Sequence, residues 1–174
     1  MYGQGVSGAN PEENSALMQP FIDDRQLLQQ RINAALYAVR LLPWVDDSKI
    51  AAIGFCFGGL FVLDLARIGA DIKGVVSFHG LLNIPENIAN KPVQAKVLAL
   101  HGHDDPMATD DMVSAFCQEM TDLKVDWQLH QYGNTVHAFT NPKANTPELG
   151  TVYKEIAEQR SWQSMQNFLA EVLA

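Results

Sequence analysis

Cysteine is scarce in this chain of 174 residues, which contains only Cys56 and Cys117. The two lie far apart and neither belongs to a CxxC pair, so a zinc site built on thiolates is not indicated. Two cysteines are also too few for a disulfide-stapled secreted scaffold, which favours reduced thiols and a cytoplasmic location. The start of the chain shows neither the basic nor the apolar region of a signal peptide.

Positive charge is also in short supply. The chain has 12 Lys and Arg against 20 Asp and Glu, which gives a net charge of −8. Without a basic excess, neither nucleic acid nor an anionic membrane surface is an expected partner. No apolar run approaches the roughly 20 residues that span a bilayer. The hydrophobic fraction of 47% is typical of a globular protein, and the length suits a single domain over residues 1–174.

Short apolar runs alternate with helical patterns along the chain. Buried strands are predicted over residues 50–54, 73–79, 97–101 and 125–132. Helices are predicted over residues 23–42, 60–68, 109–120 and 151–173. Residues 2–20 are rich in Gly, Ser, Asn and Pro and are predicted to be irregular. The alternation predicts a three-layer α/β/α sandwich around a mostly parallel sheet.

A glycine-rich turn lies between the first predicted strand and the helix that follows it. Its sequence GFCFGG, residues 54–59, has the form Gly-x-nucleophile-x-Gly-Gly. Small residues flank the centre because a sharp strand-to-helix turn brings backbone segments close together. Such a turn puts the Cys56 sulfur at a helix N-terminus, with the Phe57 N–H as an oxyanion donor. Taken alone, Cys56 is equally well explained as a small buried hydrophobic residue.

An acid and a histidine follow two later strands. Asp105 lies in the turn GHDDP, residues 102–106, and His137 lies in the loop after the last predicted strand. Singly, Asp105 is explained as a turn or capping acid and His137 as a loop histidine. The chain order nucleophile, acid, histidine is the order of α/β-hydrolases. Together the three residues therefore favour a triad of Cys56, Asp105 and His137.

With these motifs the chain resembles the dienelactone hydrolase family over almost its whole length. The matching pieces are GFCFGG, LALHGHDDP and YGNTVHAFTNP, and MYG resembles the segment after the family's fourth strand. The resemblance implies that Cys56 is the nucleophile, His137 the base and Asp105, three residues after Gly102, the acid. Asp104 then serves the turn or a helix cap. The implied activity is hydrolysis of a small carboxylic ester or lactone through a thioester, without cofactor or metal.

Two departures from the family pattern affect these expectations. The family's strands and helix before MYG have no counterpart, so the chain is expected to be a truncated α/β-hydrolase that lacks the second oxyanion N–H. Asn141 stands four residues after His137, where family enzymes acting on dienelactone carry an arginine. Dienelactone itself is therefore not the expected substrate. Strand 50–54 is expected at an exposed sheet edge, where it would favour a homodimer.

Two other interpretations remain open at this point. The first is a catalytically impaired or non-enzymatic fragment of the same fold. The second is a metal-dependent hydrolase, whose ligands would come from five residues near the ends of the strands: His101, His103, Asp104, Asp105 and His137. However, no HExxH helix occurs, and His101 ends a buried strand, where it is more simply explained as a packed residue.

Overall fold

A computed structural model describes residues 2–87 and 92–174. The helices are α1 (Pro11–Asp23), α2 (Arg25–Arg40), α3 (Phe57–Arg67), α4 (Asp110–Asp122) and α5 (Glu155–Val172). The main strands are β1 (Ala51–Phe55), β2 (Gly74–Phe78), β3 (Lys96–Gly102) and β4 (Trp127–Tyr132), and the short strands are β5 (Asn145–Thr146) and β6 (Thr151–Val152). Met1, which the sequence relates to an internal position of the family, lies outside the described residues.

The four main strands form one parallel sheet in the order β1-β2-β3-β4. The register aligns Gly54 with Ser77, Ser77 with Ala99, and Ala99 with Leu129. Because all four strands run the same way, the loops after them meet at one edge of the sheet. The predicted α/β architecture with a parallel sheet is confirmed.

Helices cover both faces of this sheet, as alternation along the strands requires. On one face, Val75, Val97 and Ala99 pack in a core with apolar side chains of α2, α3 and α4. On the other face, Val76, Phe78, Leu98 and Leu100 pack against Met165 and Phe168 of α5. No helix among the described residues combines the length and hydropathy needed to cross a membrane.

The prediction that residues 2–20 are irregular is wrong, because α1 begins at Pro11. The Asn10 side chain accepts a hydrogen bond from the Glu13 N–H, and the Glu13 carboxylate accepts one from the Ala9 N–H. A capping Asn followed by Pro at the first helical position is a helix start signal, which outweighs the turn-like composition. The helix then buries Phe21 against α3.

The last predicted helix also begins later than expected, at Glu155 instead of residue 151. Residues 151 and 152 form β6, which pairs antiparallel with β5. One turn of 3-10 helix over Pro147–Leu149 and the left-handed Gly150, at φ 64°, join the two short strands. This hairpin lies against the loop that carries His137 and therefore contributes to the site.

Candidate active site

Cys56 occupies the strand-to-helix turn between β1 and α3 in a strained conformation, with φ 53° and ψ −119°. A positive φ is unfavourable for a residue with a side chain and is typical of nucleophile elbows. The Cys56 N–H donates to the Phe78 carbonyl at 3.0 Å, which fixes the turn to β2. A side chain at Gly54 would overlap the Gly58 carbonyl, and one at Gly59 would approach Ser77 Oγ to 2.5 Å. The tight turn therefore requires these small residues.

Cys56, His137 and Asp105 form one hydrogen-bonded line. His137 Nε2 lies 3.1 Å from Cys56 Sγ, and His137 Nδ1 lies 2.7 Å from Asp105 Oδ2. The second oxygen of Asp105 accepts a hydrogen bond from the Met107 N–H at 2.8 Å. His137 and Asp105 are only 2% and 3% exposed, whereas Cys56 is half-buried. The structure thus brings together all three residues that the sequence singles out.

Backbone contacts hold the two loops that supply the acid and the histidine. The His137 N–H donates to the Gly150 carbonyl, and its carbonyl accepts from the Val152 N–H, so the β5–β6 hairpin fixes both sides of the residue. The Asp104 N–H donates to the Thr135 carbonyl at 2.9 Å. Asp104 therefore joins the loop after β3 to the loop after β4, while Asp105 points to the imidazole.

The environment of His137 favours its protonated form. Burial alone would lower the pKa of His137, but the hydrogen bonds to Asp105 and Cys56 and the charges of these two groups outweigh it. Together they raise the pKa of His137 to about 9. At neutral pH the line therefore presents an imidazolium to the Cys56 sulfur. A neighbouring imidazolium favours the thiolate, which is the nucleophilic form of cysteine.

The metal-ligand interpretation finds no support in the described part of the chain. No group of three or more His, Cys, Asp or Glu side chains there is placed to hold a metal ion. His101 is buried at the end of β3, where burial lowers its pKa. His103 lies at the surface, with Nδ1 3.2 Å from Gln131 Oε1.

Aromatic side chains surround the elbow. Phe57 packs with Phe61 and Phe21, and Tyr2 lies against Phe21 in the same apolar cluster as Cys56. Burial and, to a smaller extent, the charge of Cys56 raise the pKa of Tyr2. The elbow is thus packed against an apolar cluster.

His79 is the neighbour of the site that the sequence reasoning missed. It directly follows β2 and its ring meets the ring of His137 edge to face, with centroids 5.0 Å apart. The signal was available, because a titratable residue that ends a parallel strand lies at the same edge as Cys56 and Asp105. In the sequence, His79 is simply the last residue of the predicted buried strand 73–79, and no motif distinguishes it from a packed residue.

A family model and a solved structure match almost the whole length of this chain. The model of the dienelactone hydrolase family matches residues 1–173. The dienelactone hydrolase-like promiscuous phosphotriesterase P91 from metagenomic libraries superimposes with a TM-score of 0.91 at 39% identity. That match covers 99% of this chain and 73% of P91.

Curated sequences give similar results over different lengths. The uncharacterized protein K02A2.1 of Caenorhabditis elegans is 38% identical over 150 residues, which are 84% of this chain and 95% of that protein. The carboxymethylenebutenolidase homolog of Homo sapiens is 27% identical over 96 residues. Those residues are 55% of this chain and 38% of the human protein.

Proposed function

The chain belongs to the dienelactone hydrolase family of ester and lactone hydrolases, and we propose that it hydrolyses a small carboxylic ester or lactone with a Cys56–His137–Asp105 triad. The observation that carries the proposal is the continuous line from Cys56 Sγ through both nitrogens of His137 to Asp105. The strained conformation of Cys56 and the half-buried position of this residue support it, since a structural cysteine needs neither.

In the first half of the reaction, the Cys56 thiolate attacks the carbonyl carbon, and the carbonyl electron pair moves onto oxygen. Phe57 is the first residue of α3, so its N–H has no acceptor within the helix and is free to bind the oxyanion. Collapse of the intermediate breaks the bond to the alcohol oxygen. The His137 imidazolium gives its proton to this leaving group, and a thioester remains on Cys56.

In the second half, the now neutral His137 takes a proton from water, and the hydroxide attacks the thioester. Collapse breaks the carbon–sulfur bond, which releases the carboxylic acid and restores the thiolate–imidazolium pair. Asp105 keeps Nδ1–H in place and stabilises the positive ring in both halves.

The Cys56→Ala variant tests this proposal directly, with Cys117→Ala as the matched control. Cys117 is half-buried on α4, where burial raises the pKa of its thiol. Loss of the nucleophile is expected to lower kcat for p-nitrophenyl acetate at least about 10³-fold. The Cys117→Ala variant should match the wild type. Equal rates in the wild type and Cys56→Ala would instead support the impaired or non-enzymatic interpretation.

A phosphotriester is the second candidate substrate. P91 is 39% identical to this chain and is described as a promiscuous phosphotriesterase. A thiolate that attacks an activated carbonyl also attacks an activated phosphorus centre, in each case with loss of a good leaving group. Assay of the same two variants with a p-nitrophenyl dialkyl phosphate decides this point. Turnover that survives in Cys56→Ala would exclude the triad as its source.

We further propose that the chain forms a homodimer through the free edge of β1. Among the described strands, none pairs with the outer side of β1. Ile53 and Phe55 on one face of this strand are 42% and 43% exposed. On the other face an apolar groove of about 180 Å³ runs between α2 and β1. An edge strand that presents apolar side chains favours pairing with a second copy.

Two broader proposals complete the assignment. We propose that residues 1–174 form a single α/β-hydrolase domain, which the one continuous four-stranded sheet supports.

We also propose a cytoplasmic location. Both cysteines are free in the structure, and a nucleophilic thiol such as Cys56 persists best in a reducing compartment.

A further inference from the structure

His79 lies at the candidate active site without a role in the triad chemistry. It directly follows β2, as Cys56 directly follows β1, and it is 3% exposed. Its backbone has a positive φ of 36°, and its N–H donates to the Leu100 carbonyl at 2.8 Å. The fold therefore holds a strained, buried histidine at the sheet edge where the triad assembles. Such strain is typical of positions that serve a functional site.

The contacts of the His79 ring are concentrated on the loop that carries His137. Its Nε2 lies 2.8 Å from Thr140 Oγ1. The ring packs edge to face against His137 and against Phe139, with centroid distances of 5.0 and 5.1 Å. Between these residues, Ala138 has φ 58°, a conformation that favours glycine. This loop needs contacts from outside to keep its shape, and His79 supplies three of them.

The charged state of His79 follows from its surroundings. Burial and, to a smaller extent, the charge of His137 lower the pKa of His79, while Asp105 opposes the change; the net effect is a pKa of about 3. His137 and Asp105 are the titratable groups that face the ring, and Phe139 and Phe55 cover its apolar sides. His79 is thus a neutral imidazole at working pH. It does not compete with His137 for the proton that the triad uses.

The proton of this neutral ring belongs on Nε2. Within the described residues, His79 Nδ1 is buried and has no hydrogen-bond partner. A buried N–H without an acceptor costs more than a buried lone pair, so Nδ1 carries the lone pair. The Nε2–H then donates to Thr140 Oγ1.

We propose that His79 is a positioning residue for His137: its neutral ring, bonded to Thr140 and packed on the imidazole, holds the base in line between Cys56 and Asp105. This inference rests on the proposed function. His79 acts through geometry, because a shift of the imidazole of His137 by about 1 Å would lengthen both hydrogen bonds of the triad. In this role His79 exchanges no proton with the substrate.

Paired variants at the two ends of the His79–Thr140 hydrogen bond test the inference. His79→Phe keeps a packed ring but loses the donor, and His79→Gln keeps a donor near the position of Nε2. Thr140→Val removes the acceptor at nearly constant shape, and Thr140→Ser keeps it. The Phe and Val variants are expected to lower kcat for p-nitrophenyl acetate about ten- to hundredfold at unchanged KM. The Gln and Ser variants should recover most of this loss.

The double variant His79→Phe/Thr140→Val separates one shared interaction from two unrelated effects. Because both changes remove the same bond, the double variant should be no slower than the slower single variant. Additive losses, or a His79→Phe variant with wild-type kcat, would overturn the inference. Circular dichroism identifies variants that fail to fold. If the His79 variants fail, the inference is tested by Thr140→Val and Thr140→Ser alone, because Thr140 is only half-buried.

Two further readouts report on the position of His137. Hydrolysis of ethyl acetate should fall as the pH rises through about 9, where His137 loses its proton. A loosened imidazole loses part of its bond to Asp105, so in His79→Phe this fall should begin at lower pH. Alkylation of Cys56 by iodoacetamide at pH 7 should slow in the same variant, and this reaction needs no turnover. If hydrolysis depends on Cys56 but neither readout depends on His79, only this inference fails. If the wild type does not hydrolyse esters but alkylation of Cys56 depends on His79, only the proposed function fails.

Discussion

His137 uses both nitrogens of its ring, one toward Cys56 and one toward Asp105, and these two bonds determine its chemistry. The raised pKa of His137, about 9, means that the imidazolium is present at and below neutral pH and is lost as the pH rises through 9.

The pH dependence of alkyl ester hydrolysis follows from this. Ethyl acetate has a poor leaving group that must take a proton from imidazolium, so kcat/KM should fall as the pH rises through about 9. The Asp105→Asn variant removes a cause of the raised pKa, so its alkaline fall should begin at lower pH. A pH-stat assay with Cys56→Ala as the blank measures the pH dependence of kcat/KM for the wild type and for Asp105→Asn. If kcat/KM falls at the same alkaline pH in the wild type and in Asp105→Asn, the assigned role of Asp105 is contradicted.

The residues of the proposed triad could be selected from the sequence, whereas their surroundings could not. Cys56, Asp105 and His137 each follow a predicted parallel strand, and such strands deliver their C-terminal residues to one edge. His79 follows the same rule but belongs to no recognised motif. The buried pair of Arg25 with Asp64, at 2.6 Å, joins two helices that are distant in sequence, and helical periodicity alone does not indicate it.

Among the elements, the close approach of β3 to the loop after β4 links the fold to the site. A side chain at Gly102 would lie 2.5 Å from the Thr135 carbonyl, and the same loop carries His137. The loop position therefore depends on the missing side chain of Gly102. The sequence identifies this glycine as part of a turn, but only the packed loop explains why it must be small.

The Gly102→Ala variant tests this contact, and Gly133→Ala is its matched control. The new methyl group at Gly102 must push backbone, which is expected to lower the free energy of unfolding by about 1–3 kcal/mol. Gly133 has open space around its missing side chain, so alanine there should be nearly neutral. Urea unfolding measures both. Equal stability of the two variants would show that the loop has room to move.

For the molecule as a whole, the free edge of β1 is the feature with the largest consequence. The sequence predicts an edge strand there, and the sheet order confirms it. The missed helix α1 packs on α3 through Phe21 and leaves this edge uncovered. The P91 match covers 73% of that chain, so the relative has further residues for which this chain has no counterpart.

Replacement of the exposed apolar residues of the edge tests the proposed dimer. The wild type should show a concentration-dependent dimer by light scattering, because pairing along β1 satisfies backbone groups and buries Ile53 and Phe55. An Ile53→Lys variant places a charge on the edge and should shift the protein to monomer. A wild type that is monomeric at all concentrations would contradict the dimer.

The central claim is that the sulfur of Cys56 carries the acyl group during turnover. Rapid acid quenching of the protein with p-nitrophenyl acetate, followed by digestion and mass spectrometry, measures this directly. A transient acetyl group is expected on the peptide that contains Cys56, and none is expected in Cys56→Ala or on the peptide that contains Cys117. Steady hydrolysis of p-nitrophenyl acetate with no acetyl group on Cys56 at any quench time would contradict the role of Cys56 as the acyl carrier.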